Sequence, residues 1–313
     1  MIKIYQTVGN KLKLIDNPVE NCWINMINPT EKELIEIEQR YLIESDDLRA
    51  ALDEEEASRL TKEDNYSLIL VDAPYYDEEE TNRYDTIPFG MFITKDAFIT
   101  ICLRDVTSSL FKNKNKNKVI FDTKFKTRMA LQILLEISQQ YLKDLREINK
   151  QSVELESVLH SSIENAALLK MMGIGRSLLY FNTSLRGNSA VLEKLTKTAA
   201  IKKYEEDEDL LEDVIIESRQ ACEMCEVYNG VINGMMDAYS SIISNNMNVV
   251  QKFIAIASIV ISIPSIIFDA YGMNLKEAGM PFANSTHGFI LIILVAISSA
   301  ILVQQYFKHK KMF

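Results

Sequence analysis

Asn248, Gln251, Ala255, Ser258, Ser262, Ser265, Asp269 and Gly272 recur at alternating steps of three and four through an otherwise apolar stretch. That step keeps side chains on one side of a slightly supercoiled helix. The intervening positions, among them Phe253, Ile254, Ile256, Ile259, Val260, Ile263, Ile266, Ile267 and Phe268, are bulky and apolar. Amides, hydroxyls and one carboxylate in a row offer oxygen acceptors to a passing cation. In lipid, a polar stripe has to face protein or water. Two readings follow: the small and serine positions pack helix against helix, or they line a water-filled path. Asn248, Gln251 and Asp269 at the two ends favour the path, because a carboxylate in or at the mouth of a membrane segment points to function.

The elements that must position this stripe are two apolar runs, Phe253 to Phe268 and Gly288 to Val303, each about 16 residues long. Polar flanks extend each to the ~20 residues a bilayer requires, which predicts a transmembrane hairpin. Lys252 precedes the first run; Lys308, Lys310 and Lys311 follow the second; the loop between holds Lys276 against Glu277. That bias puts both chain ends inside and the loop outside. The N-terminus, Met1-Ile2-Lys3-Ile4-Tyr5-Gln6, has no apolar signal core, so the soluble part is expected in the cytosol. The net charge of −10 argues against nucleic-acid binding, which needs a basic face, and suits a surface that attracts cations. Two helices per chain cannot enclose a pore, so any channel built from them must be a homo-oligomer.

Upstream, the sequence predicts an α/β cytosolic domain over 1–125 and a helical bundle with a long stalk helix over 126–247. The first span then covers 248–270, the outer loop 271–287, the second span 288–307 and a basic cytosolic tail 308–313. Lys3-Ile4-Tyr5 and Lys11 to Leu14 flank a Gly9-Asn10 turn, and Cys22 to Met26 reads as a strand. Thr30 followed by Glu33 is a capping-box start for a helix through about Tyr41. A second, carboxylate-dense helix is expected over Asp46 to Arg59, and strands over Tyr66 to Asp72, Thr86 to Thr94 and Phe98 to Leu103. Lys112 to Lys118 reads as an exposed polar connection. Helical spacing runs from Lys126 through Val158 and from Ala166 to Thr198. The third helix begins near Glu206 and meets no proline before Pro264. Its core stripe is Leu211, Ile215, Ser218, Cys222, Cys225, Asn229, Ile232, Met236, Tyr239 and Ile243. One continuous helix of roughly 60 residues, on the order of 90 Å, leads into the first span.

Tyr271-Gly272-Met273-Asn274 at the outer end of the first span resembles the signature of the CorA family of magnesium transporters. The resemblance extends to Met236-Asp237-Ala238-Tyr239, to Ser241 through Asn248 and to the basic tail. It implies a homopentameric cation channel in the cell membrane with both termini cytoplasmic. Gly272, Met273 and Asn274 would form the entry selectivity element, Asn248 an inner polar ring and Ile254 an apolar constriction that gates by dewetting. Mg²⁺ gives up its water reluctantly, and the Asn274 amide could hold a hydrated ion through neutral acceptors. Asp269 departs from the family pattern; it either concentrates cations at the mouth or pairs with Lys276.

The family also bridges acidic residues of neighbouring subunits with divalent ions that hold the channel closed. By that resemblance Asp213 is the stalk-side metal ligand, with Asp209 one turn away. The usual partner acid is replaced around Ala50, leaving Asp46, Asp47 or Asp53. Taken alone, the Glu205 to Asp213 run is a solvated helix start whose acids suit the helix dipole. Mg²⁺ would thus be both transported and regulatory, with no organic cofactor and no enzymatic activity. Entry would be driven by the membrane potential, about 4.6 kcal/mol per 100 mV for a dication. The alternatives are a zinc, cobalt or nickel transporter sharing the Gly-Met-Asn motif, or a membrane-tethered oligomeric scaffold.

Cys222 and Cys225 form a CxxC inside a helical apolar stripe with no second pair or histidine near, which predicts core residues in place of a zinc or redox site. His160, His287 and His309 are too dispersed to share a metal.

Overall fold

The computed structural model describes residues 1–9, 11–77, 84–107, 121–161, 165–198, 204–273, 280–282 and 285–310. The expected Lys112 to Lys118 connection lies outside them. The N-terminal strands are β1 (Ile2–Val8), β2 (Lys11–Ile15) and β3 (Cys22–Ile27). Helix α1 (Glu31–Tyr41) starts at the capping box: Thr30 N–H donates to the Glu33 carboxylate at 2.7 Å, and Thr30 Oγ1 accepts from Glu33 N–H. That reciprocal pair satisfies two otherwise orphaned donors. Helix α2 (Ser45–Ala50) is followed by β4 (Arg59–Lys62), β5 (Tyr66–Tyr76), β6 (Tyr84–Thr94) and β7 (Ala97–Cys102).

The expected helix over Asp46 to Arg59 therefore stops at Ala50, and Arg59 opens a strand. Beyond Ala51 and Leu52 the segment has no apolar residues at helical spacing to bury against the sheet. Two short backbone turns replace the helix, Asp53 N–H to Ala50 C=O and Glu56 N–H to Asp53 C=O. Arg59 is drawn back by the carboxylates of Asp47 and Glu56.

The strands form one seven-stranded sheet in the order β2-β1-β3-β7-β6-β5-β4. Neighbours are antiparallel except β3 and β7, which pair parallel in the register Ile24 to Ile99. One face packs Ile24, Met26, Leu68, Leu70, Ile99 and Ile101 against Leu34 and Ile37 of α1 and Leu48 of α2. Gly90 on β6 permits this closeness, since a Cβ there would lie 2.7 Å from the Ala51 Cβ.

Helices α3 (Lys126–Ser161) and α4 (Asn165–Leu195) contact β5 and β6 and pack on each other. Helix α5 runs unbroken from Glu205 to Gly272, with Pro264 inside it, and α6 spans Gly288–His309. The chain divides into two compact units, Met1–Met236 and Asp237–Phe313. In the first, α5 meets α4 where the Cys225 thiol donates to the Leu178 carbonyl at 3.3 Å and Arg186 pairs with Glu226 at 2.7 Å. Of the expected core stripe, Leu211, Ser218, Cys225, Ile232 and Tyr239 are buried and Ile215, Cys222, Asn229 and Met236 are half-buried, while Val214 and Ala221, one residue before expected positions, are buried in addition. Ile243, the last residue expected on that stripe, is exposed, as are all residues from 241 to 250. Cys222 is half-buried beside Ser189, and burial pushes the Cys225 thiol up to about 12. Both behave as core side chains.

Candidate functional site

In the unit Asp237–Phe313, two helices are long and apolar enough to cross a membrane. The covered residues of the apolar part of α5 are Ile256, Ala257, Val260, Ile263, Pro264, Ile267 and Tyr271. On α6 they are Gly288, Ile292, Ile293, Ala296, Ser299, Ala300, Val303 and Phe307. Each set makes one helical stripe. At 3.6 residues per turn, the covered stripe of α5 lies on the side opposite Asn248, Gln251, Ala255, Ser258, Ser262, Ser265 and Asp269. All seven are exposed. The polar stripe is thus not what packs the hairpin together, and the helix-against-helix reading of it fails within one chain.

The serines are internally satisfied. Ser258 donates to the Ile254 carbonyl at 2.8 Å, Ser262 to Ser258 at 2.8 Å and Ser265 to Ile261 at 3.1 Å. A hydroxyl bonded one turn back no longer demands water for its proton. The groups that lipid cannot satisfy are therefore Asn248, Gln251 and Asp269, while the serine oxygens keep acceptor capacity. Ile254, three residues after Gln251 and four before Ser258, sits on the flank of the stripe and is exposed.

Gly272 is the last residue of α5, and Met273 follows it, exposed. Asn274 lies outside the described residues, as does Lys276, the expected partner of Asp269. Tyr271 O–H donates to the Pro281 carbonyl at 2.8 Å. Phe282 adopts φ +63°, and its carbonyl lies against Gly288, where any Cβ would overlap it. Phe268, Tyr271, Phe282, Phe289 and Ile292 line a cleft of about 560 Å³ between the helix ends. Gly272, the last residue of the polar stripe, also lines it; none of the other stripe residues does.

Asp209 and Asp213 are exposed on the early turns of α5, and Asp53 is exposed with its carboxylate accepting from Glu55 N–H at 3.1 Å. Among the described residues of one chain, no group of three potential ligands comes together. Asp47 is committed elsewhere: it is buried, accepts from Arg59 at 2.9 Å and from Tyr66 O–H at 2.7 Å. That leaves Asp46 and Asp53 as the candidates near α2. The acidic run is also less solvated than its composition suggests. Asp207 is 1% exposed and accepts from Arg128 Nε at 2.6 Å, while Glu206 accepts from the same guanidinium at 2.6 Å. Phe125 and Tyr204 flank that guanidinium. A lone arginine preceding the apolar period of α3 is the only sequence signal for this clasp.

Residues 19–309 match the family described as CorA-like Mg²⁺ transporter protein. The chain belongs to this family. Among its relatives, the cobalt/magnesium transport protein CorA of Methanocaldococcus jannaschii is 27% identical over 280 residues, 88% of this chain and 86% of that protein. The magnesium transport protein CorA of Helicobacter pylori is 24% identical over 303 residues, covering 93% and 90%. The complete structure of the Methanocaldococcus jannaschii CorA magnesium transporter superposes with a TM-score of 0.81 at 24% identity, over 98% of this chain and 97% of that one. The full-length CmaX protein does so at 0.72 and 15% identity, over 98% and 96%. The CorA architecture of N-terminal α/β domain, long helical stalk and two C-terminal apolar helices holds for this chain. This is a membrane transporter, not an enzyme.

Proposed function

We propose that the chain is a passive Mg²⁺ uptake channel, assembled as a homopentamer in the cell membrane with both termini in the cytoplasm. The observation that carries this reading is the position of the polar stripe, exposed along α5 on the side turned away from α6. Several copies turning that side inward would surround a path with Asn248 and Gln251 at its inner end and Ala255, Ser258, Ser262, Ser265 and Asp269 above. Ile254 on the flank of the stripe would provide an apolar constriction. Gly272, Met273 and Asn274 would receive the hydrated ion. The ion would keep its water there because the Asn274 amide offers a neutral oxygen, where a shell of carboxylates would strip or trap it; Asp269 would concentrate cations at the mouth. No nucleotide is required, since the membrane potential favours dication entry by about 4.6 kcal/mol per 100 mV.

Closure by internal Mg²⁺ would use Asp213 and Asp209 of one copy and Asp53 or Asp46 of the next. These carboxylates are exposed and scattered within a chain, which suits sites completed between copies. Relatives named for cobalt as well as magnesium support Co²⁺ as a second cargo.

Flux into liposomes holding the purified protein tests the reading. Mg²⁺ uptake should follow an imposed inside-negative potential without nucleotide and decline when Mg²⁺ is preloaded inside. Uptake of Zn²⁺ in preference to Mg²⁺ would replace the magnesium reading with a zinc one, and no flux of any dication would leave the scaffold reading.

A further inference from the structure

The layer in which α3 and α4 lie on the sheet holds polar groups that the proposed ion path does not use. Most are mutually satisfied. Asn188 brackets the Asp72 peptide, accepting from its N–H and donating to its C=O, both at 2.8 Å. Tyr141 donates to the same carbonyl at 3.1 Å, and Ser184 donates to Thr86 Oγ1 at 2.9 Å. Asp144, three residues beyond Tyr141 on α3, is different. It is 7% exposed, and its carboxylate accepts one hydrogen bond, from Gln140 Nε2 of its own helix at 2.8 Å.

Beside it lies an aromatic cluster: the Tyr76 and Tyr84 rings are 4.9 Å apart, and Phe181 sits 5.0 Å from Tyr141 and 6.4 Å from Tyr84. The ionisable groups around it are those of a negatively disposed pocket. Asp144 acts on Tyr84 of β6, which also feels Tyr76 of β5 and Glu147 of α3. It acts likewise on Tyr141, together with Asp72 of β5 and Cys225 of α5. Among the described residues the only cation acting on Asp144 is Lys143, which is exposed. A buried carboxylate with one neutral donor and no ion pair is costly as an anion.

We propose that Asp144 is a proton-binding group that makes the packing of α3 on the sheet sensitive to pH. Its neutral acid fits the aromatic pocket, and its carboxylate loosens it. Desolvation pushes the Asp144 carboxyl up to about 6, against the smaller lowering effects of Gln140 and Lys143. The folded chain then keeps a proton, between about pH 4 and pH 6, that the unfolded chain has released. The stability this group contributes is complete below about pH 4 and is lost as pH rises through about 6. Burial raises Asp72 as well, in the same direction.

The test uses the full chain in detergent. The sequence holds one tryptophan, Trp23, and it is 2% exposed in the sheet, so its fluorescence reports unfolding of this unit. Asp144→Asn should raise the melting temperature at pH 7.5 by on the order of 5 °C and leave it nearly unchanged at pH 4.5. An equal offset at both pH values, or a lower melting temperature at pH 7.5, would overturn the proposal. Hydrogen exchange in the unmutated protein is independent of how the variant folds. Corrected for intrinsic rates, amides of residues 137–148 should be better protected at pH 5 than at pH 7.5; equal protection would overturn it equally.

Discussion

Arg128 at the start of α3 donates from Nε to the buried carboxylate of Asp207 in the first turn of α5, at 2.6 Å. The two residues lie 79 positions apart, so one ion pair ties the beginnings of two helices together. Arg128→Ala leaves Asp207 desolvated and unpaired, at a cost of about 3 kcal/mol, the low end for a broken buried pair because the guanidinium is partly exposed. Thermal unfolding followed through Trp23 should show the loss, and Arg128→Lys should recover only part of it, since the bond to Glu206 needs the second arm of the guanidinium.

The hairpin turn depends on the absence of a side chain at Gly288. Gly288→Ala drives a methyl group into the Phe282 carbonyl and should cost about 1–3 kcal/mol as an overpacked contact. Thermal melts of the detergent-solubilised full chain would register it. Thr286→Ala, in the same turn and exposed, should leave the melt within about 0.5 kcal/mol of the parent.

The two faces of α6 should respond differently to the same chemistry. Ala296 is 1% exposed and its neighbour Ile297 is 51% exposed. Ala296→Leu forces three extra carbons into a buried contact and should lower stability by about 1–3 kcal/mol. Ile297→Leu faces away from that contact and should be neutral in the same melt.

Asp213→Lys should relieve inhibition of flux by internal Mg²⁺ while leaving flux in its absence intact. Asp213 is exposed, so the substitution disturbs no packing. Unchanged inhibition would place regulation elsewhere. In parallel, Asp269→Asn should reduce conductance at low Mg²⁺ and have little effect at saturating Mg²⁺, where a surface charge no longer raises occupancy.

Elements with a strong local signal are legible in the amino-acid sequence. The α1 start at the Thr30 and Glu33 capping box follows from capping chemistry, the β1–β2 hairpin from its turn residues, and the presence of α3 through α6, with ends within about three residues, from helical period. The Asp46 to Arg59 segment misleads because a charge-rich stretch with high helix propensity has no apolar face at helical spacing after Leu52. Propensity alone cannot hold a helix that buries nothing. The polar stripe is visible in the sequence as a stripe, but what it faces is not. Serine hydroxyls bonded back to Ile254, Ser258 and Ile261 weaken the case that they require water, while the position of α6 on the opposite side strengthens the case that another copy or a path lies there. The Arg128 clasp is hidden because partners so far apart along the chain leave no local pattern.

In the channel proposed above, the serine side of α5 faces water in the assembled membrane protein while its isoleucine and valine side does not. Single cysteines report this directly, in a background where the half-buried Cys222 is replaced and the buried Cys22, Cys102 and Cys225 are retained. Ser258→Cys and Ser262→Cys should react with a membrane-impermeant thiol reagent and be protected by Mg²⁺, whereas Val260→Cys and Ile263→Cys should stay unmodified. Reaction at 260 and 263 with silence at 258 and 262 would contradict this orientation of the helix.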